Sequence, residues 1–344
     1  MATLQNRYPA RYFQQLLEYL DELGLDREAV LRAARLGPID DPMKLMSMRQ
    51  VESLFAVAER MSGRSDLGFE FGRLVKTTSH DILGYALLTS PTLGHALRLL
   101  SSYQRLINPA FTLELQHHSA RVDLVYKPAM AMSHRAMRIV QETIAVSNHH
   151  EFGSLLQREL PSYDIYFSIE RPPHAARYAD LAPAKVHWGD LLPGLRLSMD
   201  AAMLDRPLAM ADPRAMQAAE QRCVAMMRGA RGSRRWSEWC RMMLREAEDS
   251  QPTLEQLASF VNLSARTLGR YLDAENTGFR ELSLQVRTER AKRLLEKGEQ
   301  SVTRIAYRLG YSDVASFIRS FRGQTGCSPG AWGEARASAG RVRH

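Results

Sequence analysis

Arg270 and Arg319 stand 49 residues apart, each one step along from an apolar row, and Thr267 and Ser316 repeat at the same separation. On the outward face of a helix a guanidinium can take guanine O6 and N7 bidentately, and an apolar side chain can meet a thymine methyl. These chemistries give two sets of DNA-contact candidates: Arg266, Thr267 and Arg270, then Val314, Ser316, Ile318 and Arg319. Pairing of Arg266 or Arg319 with phosphate alone is the competing use, which positions a protein without reading sequence. Arg287, Arg290 and Arg304 are further phosphate candidates.

Helices must hold these side chains, and the spacing predicts them twice. Thr253 and Gln256 fit a capping box that opens a helix with Leu254, Leu257, Ala258 and Val261 inward. Ser264 then caps a second helix with Leu268 and Leu272 inward. About 48 residues on, Ser301 opens a helix with Val302, Ile305, Ala306 and Leu309 inward, Gly310 turns the chain, and Ser312 is the expected cap of a helix burying Phe317 and Phe321. The second helices align at 49 rather than 48, so the later copy carries one extra residue near its second cap. Ala258 and Ala306 suit a close helix crossing, and Gly310 suits a turn at positive φ. Between the copies, Phe279 to Lys297 reads as one helix ended by Gly298. At 1.5 Å per residue it is roughly 28 Å long, near the ~34 Å between successive major-groove faces. Ser328-Pro329 starts a short closing helix through Trp332.

Residues from about 234 to 336 resemble the DNA-binding domain of the AraC/XylS family of bacterial transcription regulators. The resemblance is carried by Ser264-Ala-Arg-Thr-Leu-Gly-Arg-Tyr-Leu, Phe279-Arg-Glu-Leu, Ile305-Ala-Tyr-Arg-Leu-Gly-Tyr-Ser, Ser316-Phe-Ile-Arg-Ser-Phe and Thr325-Gly-Cys-Ser-Pro. Gly269 stands where that family usually has a base-reading side chain, and Gly323 replaces a common basic residue. Residues from about 10 to 225 resemble the ligand-binding half of one branch, which carries an arabinose-binding-like domain. Their matching pieces are Asp81-Ile-Leu-Gly-Tyr-Ala-Leu-Leu-Thr-Ser-Pro-Thr-Leu, Val186-His-Trp-Gly and Leu204-Asp-Arg-Pro-Leu-Ala-Met-Ala-Asp-Pro. The name does not establish arabinose as ligand. The resemblance implies a small-molecule effector, double-stranded promoter DNA and RNA polymerase as partners, homodimerisation through the front half, and activation more often than repression.

Length and charge agree with two domains. Of the formal net charge of +8 over 344 residues, +7 falls on residues 231 to 344. Such asymmetry attracts phosphate and makes affinity fall with salt, although a solvated basic surface is the bland alternative. The expected fold class is α+β: a mixed helix and strand N-terminal domain (1–228), then an all-α domain of two helix-turn-helix units joined by a linker helix (236–336). Arg228-Gly-Ala-Arg-Gly-Ser-Arg-Arg reads as an exposed linker, placed at 229–235, and 337–344 as a flexible tail.

In the front half, helices are expected at Tyr12 to Leu23, Arg49 to Met61, Asp66 to Gly72, Gly84 to Leu88, from Ser90-Pro91-Thr92 to about Leu106, and from Ser133 to about Leu160. Strands are expected at Phe111 to Gln116, Arg121 to Tyr126, Asp164 to Glu170, Lys185 to Trp188 and Leu195 to Ser198, before a helix ending at Arg228. Tyr85, Tyr103, Arg105, Phe111, Tyr126 and Trp188 are the pocket candidates, because aromatic walls around one charge suit a small polar metabolite. Plain core is the competing use of such aromatics.

Enzymatic motifs are missing. His149-His150-Glu151 lacks the i, i+4 spacing of a zinc helix, His117-His118 falls in a hairpin turn, and neither a nucleophile elbow, a Walker loop nor a dinucleotide fingerprint occurs, so no catalytic residue, metal or cofactor is expected. Cys223, Cys240 and Cys327 form no Cys-x-x-Cys pair, and no membrane span or signal peptide is read, which points to the cytoplasm. Two rival readings stay open: a redox-responsive regulator acting through a cysteine, and a sequence-tolerant architectural DNA binder.

Overall fold

Residues 7–41, 44–157, 159–190, 193–228, 236–247, 251–260 and 263–333 are described by the structure, a computed structural model. The chain divides into two units, Met1–Arg234 and Arg235–His344. The expected linker at 229–235 and tail at 337–344 lie outside the described residues.

The first unit opens with β1 (Arg7–Pro9), α1 (Ala10–Glu22), α2 (Arg27–Ala33) and β2 (Leu45–Ser47), β1 and β2 forming an antiparallel ribbon. Helices α3 (Met48–Ser62), α4 (Leu67–Leu74), α5 (Ile82–Leu88) and α6 (Leu93–Tyr103) follow. Next come β3 (Phe111–His117), β4 (Arg121–Pro128), α7 (His134–Leu155), β5 (Asp164–Phe167), β6 (Lys185–Trp188), β7 (Leu195–Asp200) and α8 (Pro213–Arg228). The five longer-range strands make one sheet in the order β3-β4-β7-β5-β6, antiparallel except for the β5–β6 pair.

Local chemistry sets these limits. Tyr12, Phe13, Leu16, Leu17 and Leu20 bury one face of α1 at helical spacing. Ser47 and Gln50 form the capping box of α3, and Gly63 ends it at φ 65°. Helix α6 is capped by Thr92 and passes into a single 3-10 turn at Gln104–Leu106, so the regular helix stops short of the expected Leu106. Ser133 caps α7, which ends at Leu155 rather than near Leu160. Strand β5 ends at Phe167; at Ser168 the amide still donates to the Gly194 carbonyl at 3.1 Å, while the Ser168 hydroxyl accepts from the Gly194 amide at 2.8 Å. The sequence reading had no α2 and no β1–β2 ribbon; both are short, although Asp26 caps α2 through the amides of Glu28 and Ala29.

Helix α7 organises this unit. It is buried along most of its length, including the polar Gln141, Glu142, Ser147, Asn148, His149 and Glu151. Helix α4 crosses it at Gly68 and Gly72, where an added Cβ would lie 2.5 Å from the Glu142 carboxylate and 2.6 Å from Val146. Two glycines one turn apart thus set how closely the helices approach.

The second unit comprises α9 (Trp236–Glu246), α10 (Leu254–Phe260), α11 (Ala265–Ala274), α12 (Phe279–Lys297), α13 (Val302–Arg308) and α14 (Val314–Thr325), with a closing helix at 329–333. Helix α9, not foreseen, packs on α11 and α12. Thr253 and Gln256 exchange both capping-box bonds, at 2.8 and 3.2 Å. Gly298 ends α12 at φ 67° and Gly310 turns the second copy at φ 77°. Leu257, Ala258, Leu268 and Leu272 are buried in the first copy, and Ile305, Ala306, Leu309, Phe317 and Phe321 in the second; the expected inward Val261 lies outside the described residues.

Candidate nucleic-acid interface and effector cavity

The cap of each reading helix fixes the direction of its first turn. In α11 the Ser264 hydroxyl accepts from the Thr267 amide at 3.1 Å, and the two hydroxyls lie 2.8 Å apart. In α14 the cap is Asp313, not the expected Ser312: its carboxylate accepts from the Ser316 amide and from the Ser316 hydroxyl, each at 2.7 Å. The extra residue of the later copy falls ahead of this cap, so Ser264 corresponds to Asp313 at the same offset of 49 that joins Arg270 to Arg319. Thr267 and Ser316 therefore share a local task, each returning its hydroxyl to its own cap. The Ser316 amide holds the Asp313 carboxyl below its ordinary pKa, with the Ser316 hydroxyl adding to the effect.

Beyond the caps, Arg266 and Arg270 are exposed one turn apart on α11, and neither side chain has a hydrogen-bond or ion-pair partner among the described residues. Arg304 is exposed on α13 in the same condition. Arg319 is exposed and donates to the Ser316 hydroxyl at 3.2 Å. Ile318 projects into solvent, while Val314 is half-covered by the second core. Arg287 is turned inward: half-buried, it donates to Gln251 at 3.2 Å and to Ser283 at 3.0 Å, and its guanidinium lies 5.2 Å from the Tyr311 ring centre. That placement ties the linker helix to the second copy and leaves Arg287 less free for phosphate than its charge alone suggests. Arg290 is half-buried on the same helix. Gly269 and Gly323 open onto empty space.

In the first unit a cavity of about 80 Å³ lies among α1, α6 and α7. Phe13, Phe55 and Phe71 wall one side with ring centres 5.9 to 6.1 Å apart. A polar chain lines the cavity: Tyr12 Oη lies 2.9 Å from His80 Nδ1, and His80 Nε2 lies 2.8 Å from Glu151 Oε1. Tyr8 donates to Asn108 at 3.1 Å and Tyr126 to Asn148 at 2.8 Å. Burial, helped by the Glu151 charge, pushes the Tyr126 hydroxyl far above its usual pKa and keeps it a donor.

Of the six pocket candidates read from sequence, Tyr126 lines this cavity and the others do not. Tyr85 is 49% exposed on α5. Tyr103 reaches Glu220 on α8 at 3.2 Å, and Arg105 is half-buried in the turn after α6. Phe111 is core, and Trp188 stacks on Phe167 with ring centres 4.6 Å apart. Tyr12, His80, Gln104, Asn148 and Glu151 were missed. A signal was present for α7, whose Thr143, Ser147 and Glu151 recur every four residues and share a face.

The histidine pair on α7 is accounted for within the fold. His149 Nδ1 lies 2.9 Å from the Tyr163 hydroxyl, and burial, with a smaller push from His150, lowers its pKa to about 4. The cysteines shift the other way: burial raises Cys223 to about 11 and Cys240 to about 12, the reverse of a reactive thiol. No helix among the described residues is long and apolar enough to cross a membrane.

Two capped helical pairs carrying outward arginines, joined in one chain to a sheet-and-helix unit with a largely apolar cavity that holds a few polar groups, define a ligand-binding transcription regulator. The chain belongs to the AraC family: residues 24–208 match the arabinose-binding N-terminal domain of AraC transcription regulators, and residues 257–335 match a helix-turn-helix domain model. It is 30% identical to the ornithine utilization regulator of Pseudomonas aeruginosa, over 95% of this chain and 96% of that one. It is 26% identical to the regulator VqsM of the same organism, over 79% and 84%. A shorter match of 33% to the transcriptional activator NphR of a Rhodococcus species covers 29% of this chain and 30% of that one. Among solved structures, the transcriptional regulator CdpR of Pseudomonas aeruginosa matches at 23% identity and TM-score 0.43, over 92% and 98%. These relatives and domains are regulators, not enzymes.

Proposed function

We propose that this regulator reads promoter DNA through both helix-turn-helix copies and that a small metabolite in the first unit alters that reading. Arg266, Arg270 and Arg319 take bases or phosphates, Thr267 and Ser316 align the first turns, Ile318 and Val314 meet apolar base edges, and Arg287, Arg290 and Arg304 add to the phosphate field. The observation that carries this is the paired geometry: two capped helices, equivalent at an offset of 49, each exposing an arginine at the matching place. Residues 1–228 form the effector-binding and dimerising part, 229–235 the linker, and 236–336 the DNA-binding part.

Effector action follows from linkage, since a ligand shifts DNA affinity only through its different affinity for two states of the protein. A homodimer would join half-sites by avidity. Activation by contact with RNA polymerase is the preferred direction, supported by the activator named among the relatives, and the relative named for ornithine utilization makes ornithine a first effector to test. Footprinting of the full chain on its promoter tests the core of the reading. Arg270→Ala should open protection over one half-site and Arg319→Ala over the adjacent one; unchanged protection in both variants defeats it.

A further inference from the structure

Resting on that effector-binding reading, we infer that the cavity of the first unit takes a small organic ammonium compound with an apolar body, held by Glu151 and Gln104. The cavity's hydrogen-bonding capacity is lopsided. The hydroxyl protons of Tyr8 and Tyr126 are committed to Asn108 and Asn148. With the proton on Nε2, His80 donates to the Glu151 carboxylate and its Nδ1 accepts from the Tyr12 hydroxyl. Glu151 is the carboxylate of the lining.

Acceptor capacity, by contrast, is left unfilled. Gln104 is 4% exposed, lines the cavity, and its Oε1 is sealed from solvent with no hydrogen-bond partner. Glu151 is equally buried, and only Oε1 of its carboxylate is taken by His80, with no partner for the second oxygen among the described residues. A buried carbonyl without a donor is costly, and a buried carboxylate wants a positive or strongly donating partner. No lysine or arginine lines the cavity. An anionic ligand would therefore bring a second carboxylate-like charge beside Glu151 with no lysine or arginine in the lining to receive it. An ammonium group instead supplies donors for the Glu151 carboxylate and the Gln104 carbonyl, and Phe13, Phe55 and Phe71 in the lining suit the hydrocarbon attached to it.

Isothermal titration of the full-length protein with butylammonium, 1,4-diaminobutane and phenethylammonium, against butyrate and butanol as matched controls, tests this. At least one amine should bind and butyrate should not. Glu151→Gln should weaken the amine at least tenfold. Gln104→Leu removes the orphaned acceptor at similar volume, so it should raise the melting temperature of the ligand-free protein while weakening the amine about fivefold; it carries the test should Glu151→Gln fail to fold. Binding of butyrate as tight as the amines, amine affinity unchanged in Gln104→Leu, or no binding by any of the three amines overturns the inference. Promoter binding measured in the same samples keeps the two readings apart: an amine that binds without changing DNA affinity sinks the regulatory reading and leaves the ligand class standing.

Discussion

The two helix-turn-helix copies share a scaffold and differ in what they offer. The first presents two unpartnered arginines, a neutral serine cap, and a gap at Gly269. The second presents Arg319 tied to Ser316, with Arg304, Arg308 and Arg322 also exposed, an exposed isoleucine, and an anionic aspartate cap. Their cores differ likewise: the inward row of α11 is Leu268 and Leu272, whereas α14 buries Phe317 and Phe321 against Tyr311 and Trp332. The duplicated fold thus differs in charge and in core: α10 and α11 set Arg266 and Arg270 against Glu255 and Asp273, whereas α13 and α14 set Arg304, Arg308, Arg319 and Arg322 against Asp313, over an aromatic core. The second, with the larger positive excess, should contribute more of the salt dependence.

The largest way to break this contrast is through the cores. Phe317→Ala should destabilise the second unit by roughly 3–5 kcal/mol, with Leu268→Ala costing about 2–5. Urea unfolding of the two variants checks the ranking, and equal losses would erase the aromatic distinction. Next in size, Arg270→Ala should weaken promoter binding by about 1–3 kcal/mol and, if the arginine meets phosphate, flatten the salt slope by about one. Arg319→Ala should change the salt slope less, because its field is already offset by Asp313. A steeper salt effect at Arg319 would show that Asp313 does not offset it.

Gly269→Ala sharpens the contrast from the other side. The added methyl meets nothing within 4 Å, so α11 should gain up to about 1 kcal/mol from helix propensity alone, read as a rise in melting temperature. A loss would show that this position needs glycine's freedom. The smallest effect concerns the caps. Asp313 has a folded pKa below its ordinary 3.8, so its contribution is present above that value and fades as pH falls through the depressed one. Amide exchange below about pH 4 should therefore loosen the start of α14 and spare α11, and Asp313→Ser should abolish the difference.

What the sequence disclosed divides along the same physical lines. Caps, turns and apolar rows of the second unit are local, so Thr253, Ser264, Gly298, Ser301 and Gly310 could be read one turn at a time. Even the misplaced cap at Ser312 was correctable, since the offset of 49 already pairs Ser264 with Asp313. The cavity was illegible for the opposite reason: Tyr12, His80, Gln104, Tyr126 and Glu151 come from five separate segments that meet only after the sheet and α7 are packed. Aromatic type alone could not separate Tyr126, at the cavity, from Phe111 and Trp188, which fill core and stack on neighbours.

The single residue inserted ahead of Asp313 reaches beyond packing. Because the two readers are unequal and their order along the chain is fixed, a bound molecule has a heading on the double helix, like an arrow rather than a bead. Turning a binding site end for end would leave every base in place for recognition yet reverse the protein's heading relative to the gene, so the site should stay occupied while its regulation of that gene changes.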